Sequence, residues 1–138
     1  MSTIEITIVN QGSELARVAG LLDRLGAERH LAPEVVTDMQ IALDEVLTNI
    51  AEYAYTDDAE HRIHVCLRVL DNVLEAAIED DGAPFNPLAI PEPDINAPLH
   101  ERRVGGVGIH FVRKLMDEVS YDRAGGRNRL VLRKHCKT

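Results

Sequence analysis

The stretch RIHVCLRVLDNVLEAAI, residues 62–78, contains two strand-like runs of largely apolar residues on either side of Asp71-Asn72. Runs of this length that are rich in β-branched residues are typical of β-strands. An Asp-Asn pair tolerates the positive φ angles of a tight turn. We therefore predict an antiparallel hairpin with strands over 62–70 and 73–78.

Three elements are predicted before this hairpin. Residues 3–9 (TIEITIV) alternate polar and apolar side chains, which indicates a half-buried strand. Ser13 is suited to cap a helix whose apolar positions continue at helical spacing to Gly26. Pro33 fits the first turn of a second, longer helix, and its apolar stripe extends to Ala54.

After the hairpin, residues 81–108 show no periodicity and contain most of the chain's six prolines. Long aperiodic insertions in compact domains are often functional, and we predict a mobile lid at about 86–104. A third helix is predicted over 108–118. A second hairpin then follows, with strands over 119–123 and 130–133 around Gly125-Gly126.

The order of these elements decides the fold class. Strands and helices do not alternate as they do in a doubly wound parallel sheet. We therefore expect a single α+β domain over 1–138. It is a two-layer sandwich with three main helices on one face of a mixed, mainly antiparallel sheet.

Composition narrows the functional classes. The 138 residues are 45% hydrophobic and 28% charged, with no apolar run long enough to cross a bilayer, so we expect no membrane association. The net charge of -8 disfavours direct nucleic-acid binding. No leader pattern is visible at the N-terminus, so the expected location is the cytoplasm. Cys66 and Cys136 are far apart and receive no functional role.

The second helix contains the first candidate site residues, Glu45 and Asn49. Their spacing of four places a carboxylate and an amide on one face of the helix, beside the apolar stripe. Both groups can then point into a cleft between helix and sheet. Taken alone, the same pattern is more often a solvated helix surface.

Two glycine-containing segments supply further candidates. Asp80 and Gly82 follow the strand 73–78, where an aspartate can accept a hydrogen bond from an exocyclic amine and a glycine lets a ligand approach. Gly105, Gly106 and Gly108 lead into the third helix, whose first amides form a natural anion site. Taken alone, each segment also has a purely structural explanation. The first can be an acidic turn after a strand, and the second a flexible hinge with a helix cap.

The order of these motifs resembles the GHKL superfamily of ATP-binding domains, which includes gyrase, Hsp90 and histidine kinases, from about residue 38 to the end. The segments DDGAPFNP at 80–87 and GGVGIHFVRKLMDEV at 105–119 are similar to those of the anti-sigma-factor serine/threonine kinases, also called switch kinases. The resemblance implies ATP and magnesium as cofactors. It assigns Glu45 as the general base and Asn49 as the magnesium ligand.

The same resemblance assigns Asp80 and Gly82 to adenine, and Gly105, Gly106 and Gly108 to the phosphates. Two positions depart from the superfamily pattern. Pro84 stands at the second glycine of the common D-x-G-x-G form. The threonine often found in the last hairpin is replaced around Asn128-Arg129, and this change affects one hydrogen bond on the adenine side.

The function implied by the resemblance is a serine/threonine protein kinase that phosphorylates an anti-sigma-factor antagonist and binds a sigma factor, with a homodimer as a further possibility. Arg17 on the first helix is a candidate partner contact, and Arg102 and Arg103 are candidate phosphate or partner contacts. The main alternative is a nucleotide-gated protein-binding module without kinase activity. Bare ATP hydrolysis and the catalytic half of a histidine kinase are further alternatives.

Overall fold

The computed structural model describes residues 2–9, 12–51, 61–84, 86 and 106–136. These residues form five strands and three helices. In chain order they are β1 (Ser2–Val9), α1 (Gly12–Glu28), α2 (Pro33–Asn49), β2 (Arg62–Leu70), β3 (Val73–Asp80), α3 (Gly106–Leu115), β4 (Glu118–Ala124) and β5 (Arg127–His135).

The five strands form one sheet in the order β1-β2-β3-β5-β4. All four neighbouring pairs are antiparallel, so the described sheet has none of the parallel pairing that a mixed sheet implies. The reason is the position of β5, which turns back from β4 and inserts between β4 and β3. β4 and β3 therefore run in the same direction without being neighbours.

The two predicted hairpins are confirmed at their turns. Asp71 and Asn72 have φ angles of 50° and 64°, and Gly125 and Gly126 have φ angles of 61° and 75°. Two successive residues with positive φ produce the turn whose twist matches that of the flanking strands. The register of β2 and β3 follows from the first turn, with Leu70 opposite Val73.

The three helices cover one face of the sheet, and the core lies between the two layers. Side chains that alternate along β2 point into it, namely Ile63, Val65, Leu67 and Val69. The apolar stripe of α2 covers them with Val35, Met39, Ala42, Leu43, Val46 and Leu47. This arrangement confirms the predicted sandwich with helices on one side.

The helix ends differ from the sequence predictions in three places. α1 begins at Gly12, so Ser13 lies in its first turn and is not the capping residue. α2 ends at Asn49 and continues as a wider π-type turn at residues 50–51, and the remainder of the predicted stripe, up to Ala54, lies outside the described residues. α3 ends at Leu115, because the Asp117 amide already donates to the carbonyl of Arg133 at 2.9 Å.

The outer face of the sheet, opposite the helices, has a row of charges across four strands. Glu75 on β3 accepts hydrogen bonds from Arg68 on β2 at 2.8 Å and from Arg133 on β5 at 2.9 Å. Arg133 also donates to Glu118 on β4 at 3.1 Å. The two arginines cover Glu75, which is 7% exposed although none of the three described helices packs over it.

None of the described helices is long and apolar enough to cross a membrane. The predicted lid at 86–104, including Arg102 and Arg103, lies outside the described residues apart from Asn86.

Candidate functional site

The carboxylate and amide predicted on the second helix lie together on one face of α2. Asn49 Nδ2 donates to Glu45 Oε1 at 3.2 Å. Asn49 is only 2% exposed, and Glu45 is half-buried. The two side chains therefore do not lie on a solvated surface of the helix. The hydrogen bond turns the amide nitrogen of Asn49 toward Glu45 and its amide oxygen away from the carboxylate.

Asp80 is the last residue of β3 and points toward the helix layer, in line with Leu74, Ala76 and Ile78. Asp80 is 2% exposed. Asp80 Oδ1 accepts a hydrogen bond from the backbone amide of Gly82 at 2.9 Å, and Gly82 is itself buried. The acidic turn that follows the strand is therefore present, but its carboxylate faces inward and not toward solvent.

A second hydrogen bond to Asp80 comes from the far end of the sequence. Asn128 on β5 is the register partner of Asp80, and its Nδ2 donates to Asp80 Oδ1 at 3.0 Å and to the carbonyl of Ala83 at 2.8 Å. Asn128 is 4% exposed. The segment where the threonine of the superfamily is replaced thus contains an amide that donates directly to Asp80.

Two residues of β4 complete this network, and sequence reasoning did not identify them. Tyr121 donates its hydroxyl to Asn128 Oδ1 at 2.5 Å, and Arg123 donates to the same oxygen at 3.0 Å. Arg123 also donates to the carbonyl of Gly82 at 3.0 Å. We call Asp80, Gly82, Tyr121, Arg123 and Asn128 the Asp80 network. Alternation along β4 places Tyr121 and Arg123 on one face, and only the register with β5 reveals their partner.

The glycine segment meets the third helix as predicted. α3 begins at Gly106, so Gly106 and Gly108 lie in its first turn, while Gly105 lies outside the described residues. The first amides of a helix attract anions. α3 packs against α2, the helix that holds Glu45 and Asn49. Further along α3, the Nε2 atom of His110 is buried and has no hydrogen-bond partner among the described residues.

The residues present fit magnesium in the manner expected for a nucleotide-bound ion. Among the described residues, no group of three or more His, Cys, Asp or Glu side chains is arranged to hold a metal ion. Magnesium needs few protein ligands, because phosphate oxygens and water complete its shell. The buried amide of Asn49, with its oxygen turned from Glu45, suits one such ligand.

Arg17 on α1 is exposed and forms an ion pair with Glu14 at 2.8 Å. Its hydrogen bond lowers the pKa of the Glu14 carboxyl. Next to it, Leu15 and Val18 line a groove of about 470 Å³ between α1 and α2 that contains none of the predicted nucleotide residues. The role of Arg17 in partner binding stays a prediction.

Comparison with known proteins places the chain in a family. Residues 9–134 match the sequence model of the histidine kinase-like ATPase domain family, HATPase_c_2. The serine/threonine-protein kinase BtrW of Bordetella bronchiseptica is 32% identical over 97 residues, covering 70% of this chain and 68% of that protein. The serine-protein kinase RsbW of Bacillus mycoides is 30% identical over 106 residues, covering 74% of this chain and 63% of that protein.

The fold agrees with these matches. A solved structure containing the RsbU and RsbW domains of a Mycobacterium tuberculosis protein superposes with a TM-score of 0.70 at 17% identity, over 99% of this chain and 32% of that chain. This likeness concerns the fold alone. The chain spans about two thirds of the length of the two kinases it matches. The match over nearly all of its residues shows that this chain belongs to the histidine kinase-like ATPase domain family, a GHKL-like ATP-binding family.

Proposed function

We propose that this chain is an ATP- and magnesium-dependent serine/threonine protein kinase that phosphorylates an anti-sigma-factor antagonist and binds a sigma factor. The single observation that best supports a nucleotide site is the buried carboxylate of Asp80, held at one oxygen by Gly82 and Asn128. The similarity to proteins named serine kinases supports the choice of reaction. The acidic chain, with a net charge of -8, suits a basic partner such as a DNA-binding sigma region.

Asp80 would recognise the adenine base. A buried carboxylate oxygen that accepts no hydrogen bond is costly, and the two hydrogen bonds described for Asp80 both go to Oδ1. An exocyclic amino group would supply a donor for Oδ2. A base with a carbonyl oxygen at that position would place acceptor against acceptor. Buried Gly82 adds no side chain at this point, so a flat ring can approach the backbone.

Glu45 and Asn49 would serve the phosphate end. Phosphoryl transfer depends mainly on positioning and charge neutralisation, and magnesium when bound supplies part of that neutralisation. Asn49 would contribute its amide oxygen to the ion. Glu45 is oriented by the hydrogen bond at Oε1, and we assign its other oxygen, Oε2, to accept the proton of the attacking serine hydroxyl. The new bond joins that serine oxygen to the γ-phosphorus, and the bond to ADP breaks.

The test separates binding from transfer. In Glu45→Ala we expect ATP affinity to be retained and phosphorylation of the antagonist to fall by about 100-fold or more, since a general base acts on the barrier. In Asn49→Ala we expect magnesium-dependent ATP affinity to be lost. Glu34→Ala is the matched control, because Glu34 is an exposed carboxylate at the other end of α2.

The measurements are ATP titration by calorimetry, with and without magnesium, and transfer of γ-labelled phosphate to candidate antagonist proteins. Label on a serine of the partner supports the kinase. If nucleotide changes partner binding but no label is transferred, the chain is a nucleotide-gated binding module. If wild-type protein binds no ATP, the whole assignment is wrong.

A further inference from the structure

The amide of Asn128 lies at the centre of the Asp80 network and uses its full hydrogen-bonding capacity. A side-chain amide has two N–H donors and an oxygen that accepts two hydrogen bonds. In Asn128 the nitrogen donates to Asp80 Oδ1 and to the carbonyl of Ala83. The oxygen accepts from Tyr121 and Arg123. These four contacts allow only one orientation of the amide.

Burial makes this orientation costly to change. Asn128 and Asp80 are 4% and 2% exposed, so water does not readily replace a lost partner. Flipping the amide would place its oxygen against Asp80 Oδ1 and the carbonyl of Ala83, and its nitrogen against the donor Arg123. Only the Tyr121 hydroxyl, which can also accept, could then keep a hydrogen bond to the amide. The network therefore holds Asp80 rigidly, with the Gly82 amide and the Asn128 amide both donating to Oδ1.

We infer that Asn128 is a positioning residue that sets base specificity, an inference that rests on the proposed function. Asn128 and the Gly82 amide hold Oδ1 and present Oδ2 to the base as a fixed acceptor. Such an acceptor selects purines with an amino group at position six. Tyr121 and Arg123 act one step further away by holding Asn128, and Arg123 also ties the network to the Gly82 carbonyl at 3.0 Å.

The test compares two nucleotides in each variant by calorimetric titration with magnesium. One is ATP and the other is purine riboside triphosphate, which lacks only the six-amino group. The wild-type protein should bind ATP at least about 10-fold more tightly, the value expected for a hydrogen bond to a charged acceptor. In Asn128→Ala this preference should fall below about 3-fold, because Asp80 Oδ1 then keeps only the Gly82 amide of its two donors.

The ratio of the two affinities separates positioning from a general structural role. A variant that merely damages the site weakens both nucleotides equally and leaves their ratio unchanged. Asn128→Thr should restore part of the preference, because its hydroxyl can donate to Asp80. Arg129→Ala is the control, because Arg129 is the next residue of β5, faces the outer side of the sheet and pairs with Glu79 at 3.4 Å.

Each outcome is decisive. If Asn128→Ala keeps the wild-type preference, the inference is wrong while the proposed function stands. If wild-type protein binds ATP without preference, the assigned role of Asp80 also fails, and if it binds neither nucleotide the proposed function itself fails. If Asn128→Ala does not fold, Tyr121→Phe provides the test. This variant keeps the Asn128 amide but removes the hydroxyl that donates to its oxygen. A preference lowered about 2-fold or more supports the inference, and an unchanged one overturns it.

Discussion

Two glycines of α1 have opposite surroundings and make a matched pair of substitutions. A Cβ atom added at Gly26 would lie 2.5 Å from Cγ2 of Val36 on α2, whereas no atom of the described residues lies within 4 Å of a Cβ atom at Gly20. Carbon atoms in ordinary contact are about 3.5–4.0 Å apart. The contact of α1 with α2 therefore requires glycine at position 26 and not at position 20.

The structure sets the size of the effect. Val36 is 8% exposed and is β-branched, so its methyl group cannot rotate away cheaply. Overpacking of this kind costs about 1–3 kcal/mol in free energy of unfolding. Replacing glycine by alanine inside a helix raises the free energy of unfolding by up to about 1 kcal/mol through helix propensity, and this gain is the same at both positions. Gly20→Ala should thus stabilise the protein, and Gly26→Ala should be less stable than Gly20→Ala by about 1–3 kcal/mol.

Urea unfolding followed by circular dichroism measures this difference, which corresponds to roughly 4 °C in melting temperature per kcal/mol. The double variant Gly26→Ala/Val36→Ala isolates the contact, because it removes the methyl group that is overpacked. Its destabilisation should be smaller than the sum of the two single effects. Equal stability of Gly26→Ala and Gly20→Ala, or simple addition of the two single effects in the double variant, would show that Gly26 does not make this close contact with Val36.

Two further predictions follow from titratable groups. Burial opposes ionisation of Glu75, but hydrogen bonds from Arg68 and Arg133 outweigh it and lower its pKa from the ordinary value of 4.5. The stabilisation is therefore present above that value and is lost as pH falls through the folded pKa, so Glu75→Gln should cost about 1 kcal/mol at pH 6 and less at pH 3. Equal costs at both pH values in urea unfolding would contradict this. Burial also raises the pKa of the Cys66 and Cys136 thiols. Iodoacetamide at pH 7.5 should then label both thiols more slowly in folded than in urea-unfolded protein. Equal labelling rates would contradict the burial and the raised pKa of these thiols.

Much of the local structure follows from short stretches of sequence. Asp71-Asn72 and Gly125-Gly126 turn the chain because these residues accept positive φ angles, whatever surrounds them. The spacing of apolar residues, two along a strand and three to four along a helix, depends only on residues close together in the chain. The predicted bounds of the strands and helices are therefore close to the observed ones. The face shared by Glu45 and Asn49 is equally local, because the helix itself places residues four apart together.

The sheet order and the Asp80 network depended on contacts between distant residues. Asp80 and Asn128 are 48 positions apart and meet only because β5 inserts between β3 and β4. Nothing in the local pattern of β4 distinguishes Tyr121 or Arg123 from ordinary strand residues. Local sequence is enough to specify the elements and the candidate residues on each of them, since these follow from backbone preference and side-chain period. Which side chains meet depends on the folded core, because strand register over a long separation is set by the packing of that whole core.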